Sequence, residues 1–141
     1  MKIIKKFIVW NEKWNTGIKK IDEQHHHFVG LINRTHLLNL HGKTGEKIEV
    51  LLNDLTEYAR IHFSTEEQYF VDTDYPGAEE HIKKHGQLLK KVIDFNGKFE
   101  KENESSKIAE ELLHFLRDWL DNHLIKVDHK YIPWLTEHGI S

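Results

Sequence analysis

The sequence predicts an all-α protein: an up-down-up-down four-helix bundle with an irregular N-terminal arm and a short C-terminal helical segment. Three observations predict it. Apolar residues recur at three- and four-residue steps along four long stretches. Short breaks rich in glycine, proline, serine and asparagine separate those stretches. Histidines also fall four residues from a glutamate or a second histidine, at His62/Glu66 and His81/His85. Four residues advance a helix by only about 40° beyond one turn, so each pair aims two ligand groups at one point.

Residues 1–17 read as the arm, with Trp10 and Trp14 as its anchors and Gly17 as its end. A first helix is expected over 18–40, where Ile21, His25, Phe28, Leu31, Ile32, Thr35 and Leu38 share a face. Gly42 and Gly45 break it, and Thr44 is placed to cap the next helix. The second helix is expected over 46–71. Its inward stripe is Ile48, Leu51, Leu52, Leu55, Tyr58, Ala59, His62, Glu66 and Tyr69.

The run from Asp72 to Gly77 reads as a turn, with Pro76 suited to the first turn of a third helix over 78–102. His81, His85, Leu88, Leu89, Val92 and Phe99 mark that helix's inner face. Asn103 to Ser106 is cap-like. A fourth helix over 107–123 turns Ile108, Leu112, Phe115, Leu116, Trp119, Leu120 and His123 inward, and Pro133 is expected to interrupt the C-terminal segment. The whole chain, 1–141, is expected to form one domain.

Composition excludes several classes of function. At 38% hydrophobic and 30% charged residues the chain has the balance of an ordinary folded protein. A net charge of -3 with no dense basic face argues against nucleic-acid binding. The absence of cysteine removes disulfides, iron–sulfur clusters and thiolate zinc sites, so any metal must be held by nitrogen and oxygen. The apolar run from Phe7 to Trp10 is too short for a secretory signal, and no stretch reaches membrane-spanning length. The expectation is a cytoplasmic monomer with no membrane insertion.

Twelve histidines are the unusual number. Five of them, His25, His62, His81, His85 and His123, combine with Glu66 and Asp128 into seven candidate ligands on four segments. Seven are too many for one divalent ion and suit a binuclear centre inside a bundle. His123 and Asp128 are five apart, about 140° on an ideal helix. Either the helix widens there as a π-bulge or it ends between them.

Each element has an ordinary reading when taken alone. His25 is then a core histidine, His62/Glu66 a surface pair, His81/His85 a zinc pair and Asp128 a solvated acid. Of the remaining histidines, His26 and His27 are expected to face solvent or flank the second helix, and His36 to pack at the far end of the bundle. His41, His114, His129 and His138 carry no spacing signal.

The combination resembles the bacteriohemerythrin branch of the hemerythrin family. The motifs are Thr16-Gly17-Ile18 before Ile21-Asp22-Glu23-Gln24-His25, then His62-Phe63 with Glu66-Glu67. Tyr75-Pro76 before His81 and His85 follows, and then Trp119-Leu120 before His123 and Asp128. They come in the family's order and span the chain from Trp10 to Trp134.

The resemblance implies a non-haem centre of two iron ions (Fe2+/Fe3+) with an oxo or hydroxo bridge. His81, His85 and His123 would hold one iron. His25 and His62 would hold the other, which keeps an open position, and Glu66 and Asp128 would bridge. It also implies an O2 pocket walled by Phe63, Trp119, Leu120 and Leu124, where Leu124 stands in place of the isoleucine common in the family. Gln24, Glu67 and Gln87 are candidates to hold the outer ring nitrogens of the ligand histidines.

The implied function is reversible dioxygen binding for transport, storage or delivery. Five neutral imidazoles and two carboxylates would leave a diferrous, hydroxo-bridged core at a formal charge of about +1. That is less anionic than the carboxylate-rich di-iron sites built on Glu-x-x-His motifs, and it favours binding over oxidation. No base or nucleophile is free near the open position, so the chain is not expected to be an enzyme. The rivals are oxygen or redox sensing through a partner, a di-iron peroxidase, NO-handling or iron-repair enzyme, and a loose metal buffer.

Overall fold

The computed structural model describes residues 8–41, 45–102 and 105–141, with side chains described outside 39–47 and 99–106. Its long helices are α1 (Lys19–His41), α2 (Gly45–Thr73), α3 (Ala78–Glu102) and α4 (Ser105–Trp119). A π-helical segment (Leu120–Val127), a 3-10 turn (Asp128–Tyr131) and a short α5 (Ile132–Glu137) follow. There is no strand among the described residues. Connections this short force successive helices antiparallel, and α1 packs on α2 and α4 while α3 packs on the same two. This is the expected four-helix bundle. The expected caps at Thr44 and Asn103–Ser106, and the side chains of Phe99 and His41, lie outside the described residues, as does arm 1–7.

The helical stripes close into two buried clusters. The larger runs through all four long helices and includes Phe28, Ile32, Leu51, Leu55, Tyr58, Phe63, Leu88, Val92, Leu112, Leu116, Leu120 and Leu124. The smaller joins Ile18 and Ile21 of the α1 start to Phe70, Tyr131 and Leu135. Each fully buried Leu or Ile contributes about 1.5–3 kcal/mol from burial, which makes these stripes the main support of the bundle. The candidate ligands lie between the clusters, so apolar packing encloses them from both ends.

Asp22 ties down the start of α1. Its carboxylate accepts from the Thr16 amide and hydroxyl, both at 2.8 Å, and from the Gly17 amide at 3.2 Å. Gly17 takes φ +81°, a left-handed conformation that glycine adopts without strain. The arm packs Trp10 and Trp14 against the core as expected. Asn33 clamps it by accepting from the Ile8 amide and donating to the Ile8 carbonyl, each at 2.9 Å.

Three boundaries differ from expectation. The second helix runs on through Asp72 and Thr73 instead of turning there. It stops because Asp74 adopts φ 53°, and the Tyr75 and Asp74 amides turn back to the Phe70 and Val71 carbonyls. That is a Schellman ending with aspartate in place of the usual glycine. Pro76 precedes the third helix instead of opening it. It sits inside a turn closed by the Ala78 amide on the Tyr75 carbonyl at 3.2 Å, where its fixed φ suits the second turn position. Pro133 does not interrupt the C-terminal segment but starts α5, because a first-turn residue needs no amide proton.

Candidate metal centre

The structure brings all seven candidate ligands together. His25 comes from α1, His62 and Glu66 from α2, His81 and His85 from α3, and His123 from the π-helical segment, with Asp128 just beyond it. All seven are buried, and Glu66 and Asp128 are fully so. They form two groups of converging ligand atoms, each group lying within 4.8 Å. One group is His81, His85 and His123 with Glu66 and Asp128; the other is His25 and His62 with the same two carboxylates.

Widening of the fourth helix places Asp128. Its amide donates to the His123 carbonyl five residues back, so the turn between them holds one extra residue. Of the two alternatives left open by the spacing, the π form is the one adopted. Asp128 thereby points one oxygen to each half of the centre. Oδ2 lies 3.0 Å from His25 Nε2 and 3.5 Å from His62 Nε2. Oδ1 lies 2.9 Å from His81 Nε2 and 3.0 Å from His123 Nε2. Glu66 Oε1 sits 3.2 Å from His62, 3.4 Å from His81 and 2.9 Å from His85, each measured to Nε2.

Two of these contacts are hydrogen bonds, His25 with Asp128 Oδ2 and His85 with Glu66 Oε1; the others are short but poorly aligned for one. His62 Nε2, His81 Nε2, His123 Nε2, Glu66 Oε2 and Asp128 Oδ1 are buried without a hydrogen-bond partner. Buried polar atoms left unpaired cost about 1–3 kcal/mol each. Five such atoms converging on two points therefore fit cations held by nitrogen and oxygen.

Two of the outer contacts are assigned by the structure. His62 Nδ1 meets Gln24 Oε1 at 2.7 Å, and His85 Nδ1 meets Glu67 Oε2 at 3.1 Å. Gln87 is exposed and lines a surface cleft of about 270 Å³ instead. Two expected pocket residues cover ligand rings: Phe63 stacks on His85 at 3.9 Å, and Trp119 on His123 at 4.2 Å. Trp119 is half-buried and opens on the same cleft, whereas Leu120 and Leu124 are buried in the larger cluster.

Charge in the metal-free site is shared across the cluster. Burial pushes the His62 pKa down, but Glu66 and Asp128 more than offset this and hold it at about 10. The same competition leaves His81 at about 9. Burial wins at His123, whose pKa is lowered against the pull of Asp128. Burial would raise Asp128, yet His123 and its other histidine neighbours bring it well below the usual carboxylate range. Glu66 is likewise lowered well below that range, with His62 overcoming burial and the repulsion of Asp128.

Other histidines have work that spacing does not reveal. His26, exposed, stacks on Trp10 at 3.8 Å, and His129 Nε2 contacts the Trp14 carbonyl at 3.1 Å, so both hold the arm. His27 is exposed and flanks α2 through Tyr58. Two tyrosines near the centre have no spacing signal that separates them from ordinary core residues. Tyr58 and Tyr131 both carry buried hydroxyls without a hydrogen-bond partner, and both have raised pKa values, from burial first and then from Glu66 and Asp128.

The hemerythrin HHE cation binding domain family matches residues 16–135. The chain belongs to the hemerythrin family. A bacteriohemerythrin of Clostridium acetobutylicum is 32% identical over 127 residues, 88% of this chain and 98% of that relative. A bacteriohemerythrin of Pseudomonas aeruginosa is 31% identical over 95% of this chain and 84% of its own length. A hemerythrin from Sipunculus nudus is 32% identical, with 87% of this chain and 89% of that relative covered. A crystal structure of wild-type hemerythrin superposes with a TM-score of 0.79 at 28% identity, covering 92% of this chain and 98% of that one. No helix of this hemerythrin, among the described residues, is long and apolar enough to cross a membrane.

Proposed function

We propose that this hemerythrin binds dioxygen reversibly at a non-haem di-iron centre and serves as a carrier, store or delivery protein. The observation that carries the reading is the asymmetry of the cluster. Two carboxylates are shared between halves that hold three histidines and two. His81, His85 and His123 would complete one position, and His25 and His62 would leave the other one ligand short. Two iron ions bound there, with an oxo or hydroxo bridge, would supply the electrons that dioxygen takes up and returns.

The chain's residues do the rest. Asp128, with an oxygen toward each half, spans the two positions. Gln24 and Glu67 fix the His62 and His85 rings. Phe63, Leu120 and Leu124 keep water from the centre, and Trp119 shields His123 on the cleft side. The raised pKa values of Tyr58 and Tyr131 keep their hydroxyls protonated, so neither offers a ready base. This supports a binding role over an enzymatic one. The same reading carries a cytoplasmic monomer whose ligand is dioxygen and not nucleic acid.

The test is to reduce the protein without air, quantify iron, then admit air while recording the visible spectrum. About two irons per chain and an oxygen-dependent charge-transfer band that disappears on removing oxygen are expected. Full iron with immediate irreversible oxidation and no such band would move the reading to an enzyme or sensor.

A further inference from the structure

Tyr58 is one of two tyrosines near the centre whose buried hydroxyl is left without a partner. It lies one helical turn before His62 and stacks on that ring at 5.5 Å with only 14° between planes. Its other contacts are Phe28, edge-on at 5.3 Å, and the His27 ring at 5.7 Å on the outer side. The residue is 6% exposed, and its hydroxyl is buried without a partner. Packing against His62, and against Phe28 one turn from His25, puts it beside the two-histidine half. Phe63, Leu120 and Leu124 belong to the same cluster and offer no acceptor.

A buried donor with no acceptor is costly, and native proteins seldom tolerate one without a use. We propose that the Tyr58 hydroxyl donates a hydrogen bond to the small exogenous acceptor, dioxygen or its anionic mimic azide, held at the His25–His62 half of the centre. This deepens the proposed function and rests on it. The hydroxyl adds one polar contact to an otherwise apolar pocket, so it favours ligands with a bare terminal atom over ligands that only fill space. It slows their departure without adding a charge. Tyr131 is the competing hydroxyl; its ring packs on Phe70, Tyr75 and His81, toward the three-histidine half, and its hydroxyl is within reach of Glu66.

The test uses the iron-loaded, oxidised protein and azide as probe, with the azide stretch recorded in H2O and D2O. Tyr58→Phe keeps the ring and its stacking. It is expected to hold as much iron as wild type and, metal-free, to unfold at no lower temperature. It should bind azide about tenfold more weakly and lose a solvent-deuterium shift of the stretch that wild type shows. A shift that persists in Tyr58→Phe, or one removed by Tyr131→Phe instead, overturns the proposal. So does a Tyr58→Phe protein that loses iron yet binds azide unchanged per remaining site. If fully loaded wild type binds neither azide nor dioxygen, the proposed function falls and this inference with it. If wild type binds both and Tyr58→Phe matches it, only the inference falls.

Discussion

Gln24 can take only one orientation, and the reason lies two residues away from the centre. The Thr65 hydroxyl donates its single proton to the Ile61 carbonyl at 2.9 Å. Its oxygen must then accept, so the Gln24 amide nitrogen faces Thr65 at 2.9 Å. The Gln24 oxygen is left toward His62 Nδ1, which carries the proton, and His62 Nε2 faces the carboxylates. His85 is held the same way by a carboxylate, Glu67. Outer contacts of this kind are worth roughly 10–100-fold in metal affinity. Gln24→Leu should weaken one of the two proposed metal positions by that factor and leave the other nearly unchanged. Competition against a chelator measures it, and equal loss at both positions, or none, would refute the assignment. At this scale the seven candidate ligands were legible because their types and spacings survive in the linear sequence. The roles of His26, Asn33 and His129 were not, since each acts on a residue of another segment that only the fold brings near; Gln24 was a candidate, but which histidine it meets shows only in the fold.

The π-helical segment is the element that decides the site. Five residues separate His123 from Asp128, and an α-helical geometry would turn the carboxylate away from the histidine by about 140°. The sequence showed the mismatch but offered no way to choose between a widened turn and a helix end. Neither form has a residue signature, and the choice is settled by burial further on. Asp128, Tyr131 and Leu135 are all fully buried, and the widened turn is what sets the three in register with the bundle. Helix ends were harder to read for a similar reason. Asp72 and Thr73 have turn composition, yet Thr73 stays helical, donating to the Tyr69 carbonyl at 2.8 Å and accepting from the Trp134 indole at 3.1 Å. Deleting the exposed Lys126 removes the extra residue and leaves His123 and Asp128 four apart on an ordinary helical turn, still on one face. Inserting an alanine beside Lys126 instead rotates everything after it by about 100°. The deletion should keep helix content and metal binding. The insertion should keep helix content by circular dichroism but lose metal binding, and its melting temperature should drop as Tyr131 and Leu135 leave the smaller cluster. An insertion protein that still loads metal fully would show that the register of Asp128 does not decide the site.

On the scale of the whole molecule, the bundle stores a pH dependence whose sign reverses on loading. Without metal, His62 and His81 are held protonated at about 10 and about 9 by two carboxylates that are themselves held ionised. A histidine raised above its unfolded value of about 6.5 contributes stability fully below that pH and loses it as pH rises through the folded value. Metal-free stability should therefore decline from about pH 6.5 upward through 9 and 10. On the acid side, the depressed Glu66 and Asp128 contribute above their unfolded values near pH 4, and that contribution is lost as pH falls through their lower folded values. Loading works against the histidine term, because a ligand imidazole must give up the proton on the nitrogen that meets the metal. At pH 8 the His62–His81 pair should release about two protons on loading, and affinity from this pair should fall about 100-fold per pH unit below that point. Calorimetric titration of metal-free protein with ferrous iron, in two buffers of different ionisation heat, reads the proton count directly. A count near zero would mean that the two histidines are already neutral and that the carboxylates do not hold the site charged.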